Sequence, residues 1–215
     1  MTPIVRNGPF LEALSLKKGN HQEIEKQFCV MEAVAYVAGE PWSDAPKCAC
    51  QVITQFMVNW NDSLPDDATR DRLLKPLIPL LVDSRSTKTV EKKRGWMAFD
   101  WLVREHAAAW MDLTPALVIH AQALRALPII NADSIALCMP VFQAAHKASA
   151  AAGAAVWDAA WDAAGDAARA AARAAARDAA WAAAWDAAGA ALKPTIERLQ
   201  LSAQDLVRRM CEVKS

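Results

Sequence analysis

The sequence predicts an all-α protein: a multi-helix bundle with one very long Ala-rich helix and a C-terminal amphipathic helix. Only seven glycines occur in the 215 residues, so few positions favour turns. Apolar residues recur at steps of three and four, and the sustained alternation that is typical of strands is missing. Alanine, the best helix former, supplies 25 of the 42 residues from 151 to 192.

Two helices are predicted near the start of the chain. The first covers about residues 22–37, and Gly39 and Pro41 end it. After a loop over 42–48, a second helix runs from about 49 to 61. The apolar residues of the first helix recur at helical spacing, which indicates a buried stripe: Ile24, Phe28, Met31, Val34 and Ala38.

The middle of the chain predicts shorter elements. A turn over 61–65 leads into a helix with Pro65 near its first position and two aspartates in its first turn, where the helix dipole favours acids. Pro76 and Pro79 then interrupt the regular pattern before a polar loop. An amphipathic helix follows over about 90–111, with apolar positions at Trp96, Phe99, Val103 and Trp110.

Thr114 and Pro115 form a cap signal for a helix that ends near Leu127, and residues 131–140 predict a short helix or turn. The long Ala-rich helix is predicted from about 142 to 193. At 1.5 Å per residue, about 45 residues would span roughly 68 Å, which is longer than a compact domain of this size.

Lys193 and Pro194 are expected to end the long helix, and a last amphipathic helix follows from 195 to 213. We expect a helical core over 1–141, with residues 142–215 packed on that core or on another subunit as part of one structural unit.

A four-residue repeat marks the long helix. A step of four advances the row by about 40°, so the row winds round the helix as a ridge and does not form a coiled-coil seam. Such ridges pack against neighbouring helices. The bulky members of the row are the candidate partner-binding or ligand-binding residues: Trp157, Trp161, Arg169, Arg173, Arg177, Trp181 and Trp185.

Several interpretations of this row remain open. The three arginines fit a solvated basic stripe, an anion site for a phosphorylated ligand, or ion pairs between subunits. The four tryptophans fit core or interface packing, because alanine alone cannot cover them. Expansion of a triplet repeat in GC-rich DNA would also produce such a sequence.

A second candidate pocket is suggested by polar residues beside apolar ones. Glu32 lies inside an apolar run, and Asp100 lies between two aromatic residues, so either would be a pocket residue if buried. Glu40, Trp42 and Asp44 share one loop, which combines carboxylates with an aromatic ring. The ordinary role of such carboxylates is on a wet face or beside an arginine.

The sequence offers little catalytic chemistry. Cys48 and Cys50 form a C-x-C pair, with Cys29 and His21 upstream, but zinc sites usually combine C-x2-C with a second pair. No hydrolase, phosphate-loop, zinc-protease or dinucleotide motif occurs. We therefore expect no catalytic residues, no metal and no cofactor, and we do not expect an enzyme.

The charge balance and the cysteines limit the kind of function and the compartment that the sequence allows. With 24 basic and 24 acidic side chains the net charge is zero, which argues against a general nucleic-acid binder. Five scattered cysteines fit reduced thiols. No secretion signal and no stretch for a membrane span is recognised, so a cytoplasmic protein is expected.

Residues 29–44, 72–79 and 194–203, together with the Ala/Trp/Asp/Arg tract, resemble a group of uncharacterised proteins from actinobacteria and their phages. The resemblance implies a bacterial or phage source and transfers no functional residue. Phage accessory proteins of this size often bind and sequester another molecule.

The leading functional hypothesis is a non-enzymatic helical protein that forms homo-oligomers through the long helix. It would sequester a host protein or a small ligand. An alternative is a phage-type sponge that binds a nucleotide signal, with tryptophans stacked on bases and arginines on phosphates. An enzyme of unknown class ranks last.

Overall fold

The structure is a computed structural model that describes residues 9–22, 27–168 and 174–214. The side chains of residues 9–10 and 154–190 lie outside the description. In the part that is described, the regular secondary structure is helical and no strand forms, which confirms the all-α class.

Two compact units make up the described chain. Unit 1 consists of Met1–Ala98 and Gln200–Ser215, and unit 2 consists of Phe99–Leu199. The sequence-based boundary between 141 and 142 does not coincide with this division.

Unit 1 is built around short helices. They are α1 (Pro9–Ala13), α2 (Val30–Ala38), α3 (Gln51–Ser63), α4 (Asp67–Leu74) and α5 (Ile78–Leu81), with a 3₁₀ turn at Lys75–Leu77 before α5. Helix α6 (Lys88–Trp101) begins in this unit, and the last helix of the chain ends in it.

Helix α2 is the buried centre of unit 1, and it begins later than its sequence pattern predicts. Seven of its residues are buried, Val30 and Met31 among them. The predicted start near residue 22 is wrong, because Cys29 caps the helix at its first turn and Phe28 pairs with Leu16 in an isolated bridge. The predicted end is confirmed, since Gly39 takes a left-handed conformation with φ of 71°.

Helix α4 shows how the local sequence sets a helix start. Asp66 is the N-cap and accepts the backbone N–H of Thr69 at 2.7 Å. Pro65 therefore lies two residues before the first helical position near which it is predicted, and Asp67 lies in the first turn as predicted. Pro76 and Pro79 break the regular pattern as predicted. Each lies in the first turn of a short helix, where the missing N–H has no intrahelical partner to lose.

Two buried arginines close helix ends within unit 1. Arg70 donates to the carbonyl oxygens of Asn61 and Leu64 at the end of α3. Arg94 donates from Nε to the Met210 carbonyl at 2.7 Å and from Nη2 to the Val213 carbonyl at 3.1 Å. A cation at a helix C-terminus satisfies orphan carbonyls and complements the dipole.

Unit 2 contains the end of α6 and the helices that follow it. They are a π-helical segment (Leu102–Ala107), α7 (Ala108–Met111), a 3₁₀ turn (Pro115–Leu117), α8 (Val118–Arg125), α9 (Ile135–Ala168) and the first part of α10 (Ala174–Glu212). The helix predicted over 90–111 is confirmed, since α6, the π-helical segment and α7 follow one another without a break, and the backbone widens to π geometry over Leu102–Ala107. The small core of the unit is formed by Ala108, Ala121, Leu124 and Ala145.

The single very long helix predicted over 142–193 is not evident. Residues 135–168 and 174–212 are helical, and residues 169–173 lie outside the description.

Both predicted boundaries of that helix are wrong, since α9 begins seven residues earlier and α10 continues through Pro194 to Glu212. Pro140 and Pro194 each lie inside a helix. A proline removes one hydrogen bond, and the turns on either side of it keep the helix in place.

The end of α10 is anchored in unit 1. Leu206, Val207 and Met210 are buried there, and the Gln204 side chain donates to the Leu73 carbonyl at 2.6 Å. These contacts stabilise the helical course after Pro194, which local sequence signals alone do not predict.

Candidate functional site

The Glu32 carboxylate is the most heavily hydrogen-bonded side chain among the predicted site residues. It is 1% exposed and lies in the first turn of α2. Oε1 accepts the backbone N–H of His21 at 2.6 Å, and Oε2 accepts the backbone N–H of Cys29 at 2.7 Å. Oε2 also lies 3.1 Å from Nδ1 of the His21 ring. Glu32 is therefore buried, as a pocket residue would be, and it holds the chain segment around His21 against α2.

Trp42 also contacts His21. Its indole Nε1 donates to the His21 carbonyl at 2.7 Å, so both Glu32 and Trp42 are hydrogen-bonded to the same residue. Phe28 lies 4.6 Å from Trp42 and 5.6 Å from Tyr36 between ring centroids. The sequence pattern marks Glu32 and Trp42 as pocket residues and considers His21 only beside the cysteine pair, and the structure brings all three together.

Cys29 lies beside this group but is unsuited to nucleophilic chemistry. Its Sγ accepts the Glu32 backbone N–H at 3.5 Å, which completes a capping box with the Glu32 side chain. Burial raises the pKa of the Cys29 thiol to about 12, and the adjacent Glu32 carboxylate adds to the rise. A thiol in this state is protonated at neutral pH and reacts slowly.

Glu40 and Asp44 lie in the loop after α2. The Glu40 Oε2 accepts the Lys47 backbone N–H at 2.6 Å, which closes the loop on itself. Burial raises the pKa of the nearby Cys48 thiol, with a smaller contribution from the Glu40 charge. Asp44 is half-buried. The Glu40 contact is that of a loop-fixing side chain.

Asp100 belongs to unit 2, and its role there is positional. Its Oδ1 accepts the Ile130 backbone N–H at 2.8 Å and lies 3.5 Å from Nη1 of Arg104. These two contacts tie the loop before α9 to the end of α6. The predicted grouping of Asp100 with Glu32 thus spans two separate units.

The Trp and Arg row of the Ala-rich segment lies outside what the structure describes. The backbone is helical at Trp157 and Trp161 in α9 and at Arg177, Trp181 and Trp185 in α10, but none of these side chains is described. Arg169 and Arg173 lie outside the described residues entirely. The interpretations of this row stay predictions.

A histidine between two tryptophans was missed by the sequence pattern. His106 lies in the π-helical segment, with ring centroids 5.5 Å from Trp101 and 6.2 Å from Trp110. The Trp110 indole Nε1 donates to His106 Nε2 at 3.2 Å. Burial lowers the pKa of His106 below its usual 6.5. The i, i+4 spacing of His106 and Trp110 was the available signal, and π segments are frequent at functional sites.

Exposed apolar side chains concentrate in unit 2. Of the eleven large apolar residues that are exposed in the described chain, nine belong to it. Leu137 is 76% exposed, and Ile119 and Ile129 are each 70% exposed. Ser134 places two of them at one corner, since its Oγ donates to the Ile129 carbonyl at 2.8 Å and its carbonyl accepts the Leu137 N–H at 3.0 Å.

The described residues form neither a metal-binding group nor a membrane-spanning helix. Over the described ranges, no group of three or more His, Cys, Asp or Glu side chains could hold a metal ion. None of the helices that the structure describes combines the length and the apolar character needed to cross a membrane.

The chain matches no protein-family model, no curated protein and no solved structure. The resemblance to uncharacterised actinobacterial and phage proteins therefore stays a prediction.

Proposed function

We propose that this chain is a non-enzymatic helical assembly protein that self-associates through unit 2. The observation that carries the proposal is the exposure of Ile119, Ile129 and Leu137. Burying each such side chain contributes about 1.5 to 3 kcal/mol. An accumulation of exposed large apolar side chains on one unit is typical of an association site.

The Ala-rich segment extends this surface in the proposal. Small residues let helix backbones approach closely, so α9 and the first half of α10 suit helix–helix contact between copies. We include in the proposal the tryptophan ridge from Trp157 to Trp185 as the contact itself. A second copy supplies the large apolar partners that alanine cannot supply.

Sequestration of a partner is the second half of the proposal. The assembled protein would hold a host protein or a phosphorylated small molecule, the latter through Arg169, Arg173 and Arg177. A phage-type sponge that binds a nucleotide signal is the alternative function, and it rests on the tryptophan and arginine row of the sequence alone.

Light scattering coupled to size-exclusion chromatography tests the assembly directly. The mass of one chain is 23.4 kDa. We expect a particle mass of at least twice this value at micromolar concentration, falling on dilution if the contact is reversible. A mass that stays at that of one chain at micromolar concentration would overturn the proposal.

A further inference from the structure

We propose that His106, in the π-helical segment of unit 2, and Trp110, in α7, form a pH-responsive latch. The neutral imidazole accepts the indole N–H of Trp110, and the protonated imidazole releases it. The latch is independent of self-association, because every group that it needs belongs to one unit of one chain.

The hydrogen bond fixes the protonation state of the ring. Because the Trp110 indole Nε1 can only donate, the His106 Nε2 at 3.2 Å must be the unprotonated nitrogen, and the remaining proton is on Nδ1. A proton added to His106 must go to Nε2. The second proton therefore replaces an attractive contact by two opposed N–H groups.

The two tryptophans differ in what they offer the charged ring. Trp101 is 8% exposed, and its ring is tilted 43° to the imidazole at 5.5 Å, so it can retain an imidazolium through its π face. Trp110 is 37% exposed and can turn toward solvent. Protonation therefore moves Trp110 and leaves Trp101 in place.

The charged groups around His106 are already paired with one another. On its own segment and the end of α6, Arg104 lies beside Asp100, and Glu105 lies 3.7 Å from Arg198 of α10. Helix α7 carries no ionisable side chain, and α8 carries His120 and Arg125, of which Arg125 pairs with Asp112. None of these carboxylates is paired with the His106 ring, and burial is therefore the dominant influence on the pKa of His106.

The latch stabilises the folded chain at neutral pH and loses this effect in acid. The pKa of His106 is lower in the folded chain than its ordinary 6.5, so the folded state binds fewer protons than the unfolded state in this range. The stabilising contribution is complete above about pH 6.5 and is lost as pH falls through the folded pKa. Trp110 is expected to be held at neutral pH and released in mild acid.

The test is an NMR titration of the full chain labelled with ¹⁵N-tryptophan, from pH 7.5 to 5.0, with circular dichroism to confirm that the helices persist. Trp110→Phe assigns the Trp110 indole signal. We expect that signal to move with one midpoint below 6.5, toward the position of a solvent-exposed indole. His106→Gln keeps an acceptor without a proton to gain, so its Trp110 signal should be constant over the range.

His146→Gln is the matched control, because His146 is an exposed histidine of the same unit. It should leave the Trp110 titration unchanged. In Trp110→Phe, the His106 ring signals should titrate at a higher pH than in the parent chain, because the donor to the neutral form is gone. A Trp110 signal that is constant in the parent chain, or one that titrates equally in His106→Gln, would overturn the proposal.

Discussion

Glu32 and His21 are joined by two contacts, one from each oxygen of the buried carboxylate. The Glu32 Oε1 accepts the His21 backbone N–H at 2.6 Å, and Oε2 lies 3.1 Å from the ring Nδ1. Eleven positions separate the two residues in the chain. This pairing, together with the Cys29 cap, fixes how the chain enters α2.

Replacement of Glu32 tests whether the carboxylate is a structural anchor. Glu32→Ala leaves the backbone N–H groups of His21 and Cys29 without their acceptor, and it is expected to lower the free energy of unfolding by about 3 kcal/mol. Glu32→Gln keeps one acceptor oxygen and should lose less. Urea denaturation followed by circular dichroism measures both values. If Glu32→Ala lowers the free energy of unfolding by less than about 0.5 kcal/mol, the carboxylate does not stabilise the fold as an anchor.

Replacement of Arg94 tests the clamp on the end of α10. Arg94→Met keeps the apolar stem and removes the donors to Met210 and Val213, so the unfolding free energy should fall by about 3 kcal/mol. Hydrogen exchange should also quicken over residues 203–213. Arg85→Met is the control, because Arg85 is an exposed cation of the preceding loop. Equal exchange in the two variants would contradict the clamp.

Replacement of Pro194 tests whether α10 is helical at this position. Its side chain is exposed, so Pro194→Ala removes little packing and restores a backbone N–H inside the helix. Removing a helix-interior proline stabilises the folded state by about 3 kcal/mol. Alanine also makes the unfolded chain more flexible, which offsets about 1 kcal/mol of this, so the free energy of unfolding should rise by about 2 kcal/mol. Thermal unfolding measures the change. A clear loss of stability would mean that a turn, and not a helix, is present at 194.

Cys29 tests the conclusion that the group around His21 is not a nucleophilic site. A pKa of about 12, against 9.0 for an ordinary thiol, lowers the thiolate fraction at neutral pH roughly a thousandfold. Iodoacetamide labelling and peptide mapping should find Cys29 unmodified in the folded chain and modified in urea. Labelling of Cys29 at the unfolded rate under native conditions would contradict its burial.

Some parts of this fold could be predicted because their signals are local. Gly39 ends α2 by a left-handed backbone, and Pro76 and Pro79 define short helices through their fixed φ. The all-α class rests on periodicity over many residues, which is the most robust signal in a sequence.

Other parts depend on contacts between distant residues. The start of α2 at Val30 depends on a carboxylate that bonds the chain eleven positions earlier, and the apolar pattern before Cys29 carries no trace of that contact. The course of α10 beyond Pro194 depends on anchors such as the Arg94 hydrogen bond to Met210, which spans 116 positions. Proline signals predict a helix end there because they report only the local cost.

The candidate site also has a part that the sequence predicts and a part that it does not. Glu32 and Trp42 stand out in the sequence, and both hold His21 in the structure. The contact between His106 and Trp110 has the i, i+4 spacing of helix neighbours, but this spacing recurs throughout a helical chain and does not single out the pair.

The most direct test of the account is sedimentation equilibrium of two matched variants beside the parent chain. Leu137→Glu places a charge on the exposed corner of unit 2, and Leu201→Glu does the same on an exposed position of unit 1. We expect Leu137→Glu to weaken self-association about thirtyfold, which corresponds to roughly 2 kcal/mol, and Leu201→Glu to leave it unchanged. Equal dissociation constants for the parent chain and Leu137→Glu would contradict assembly through this surface.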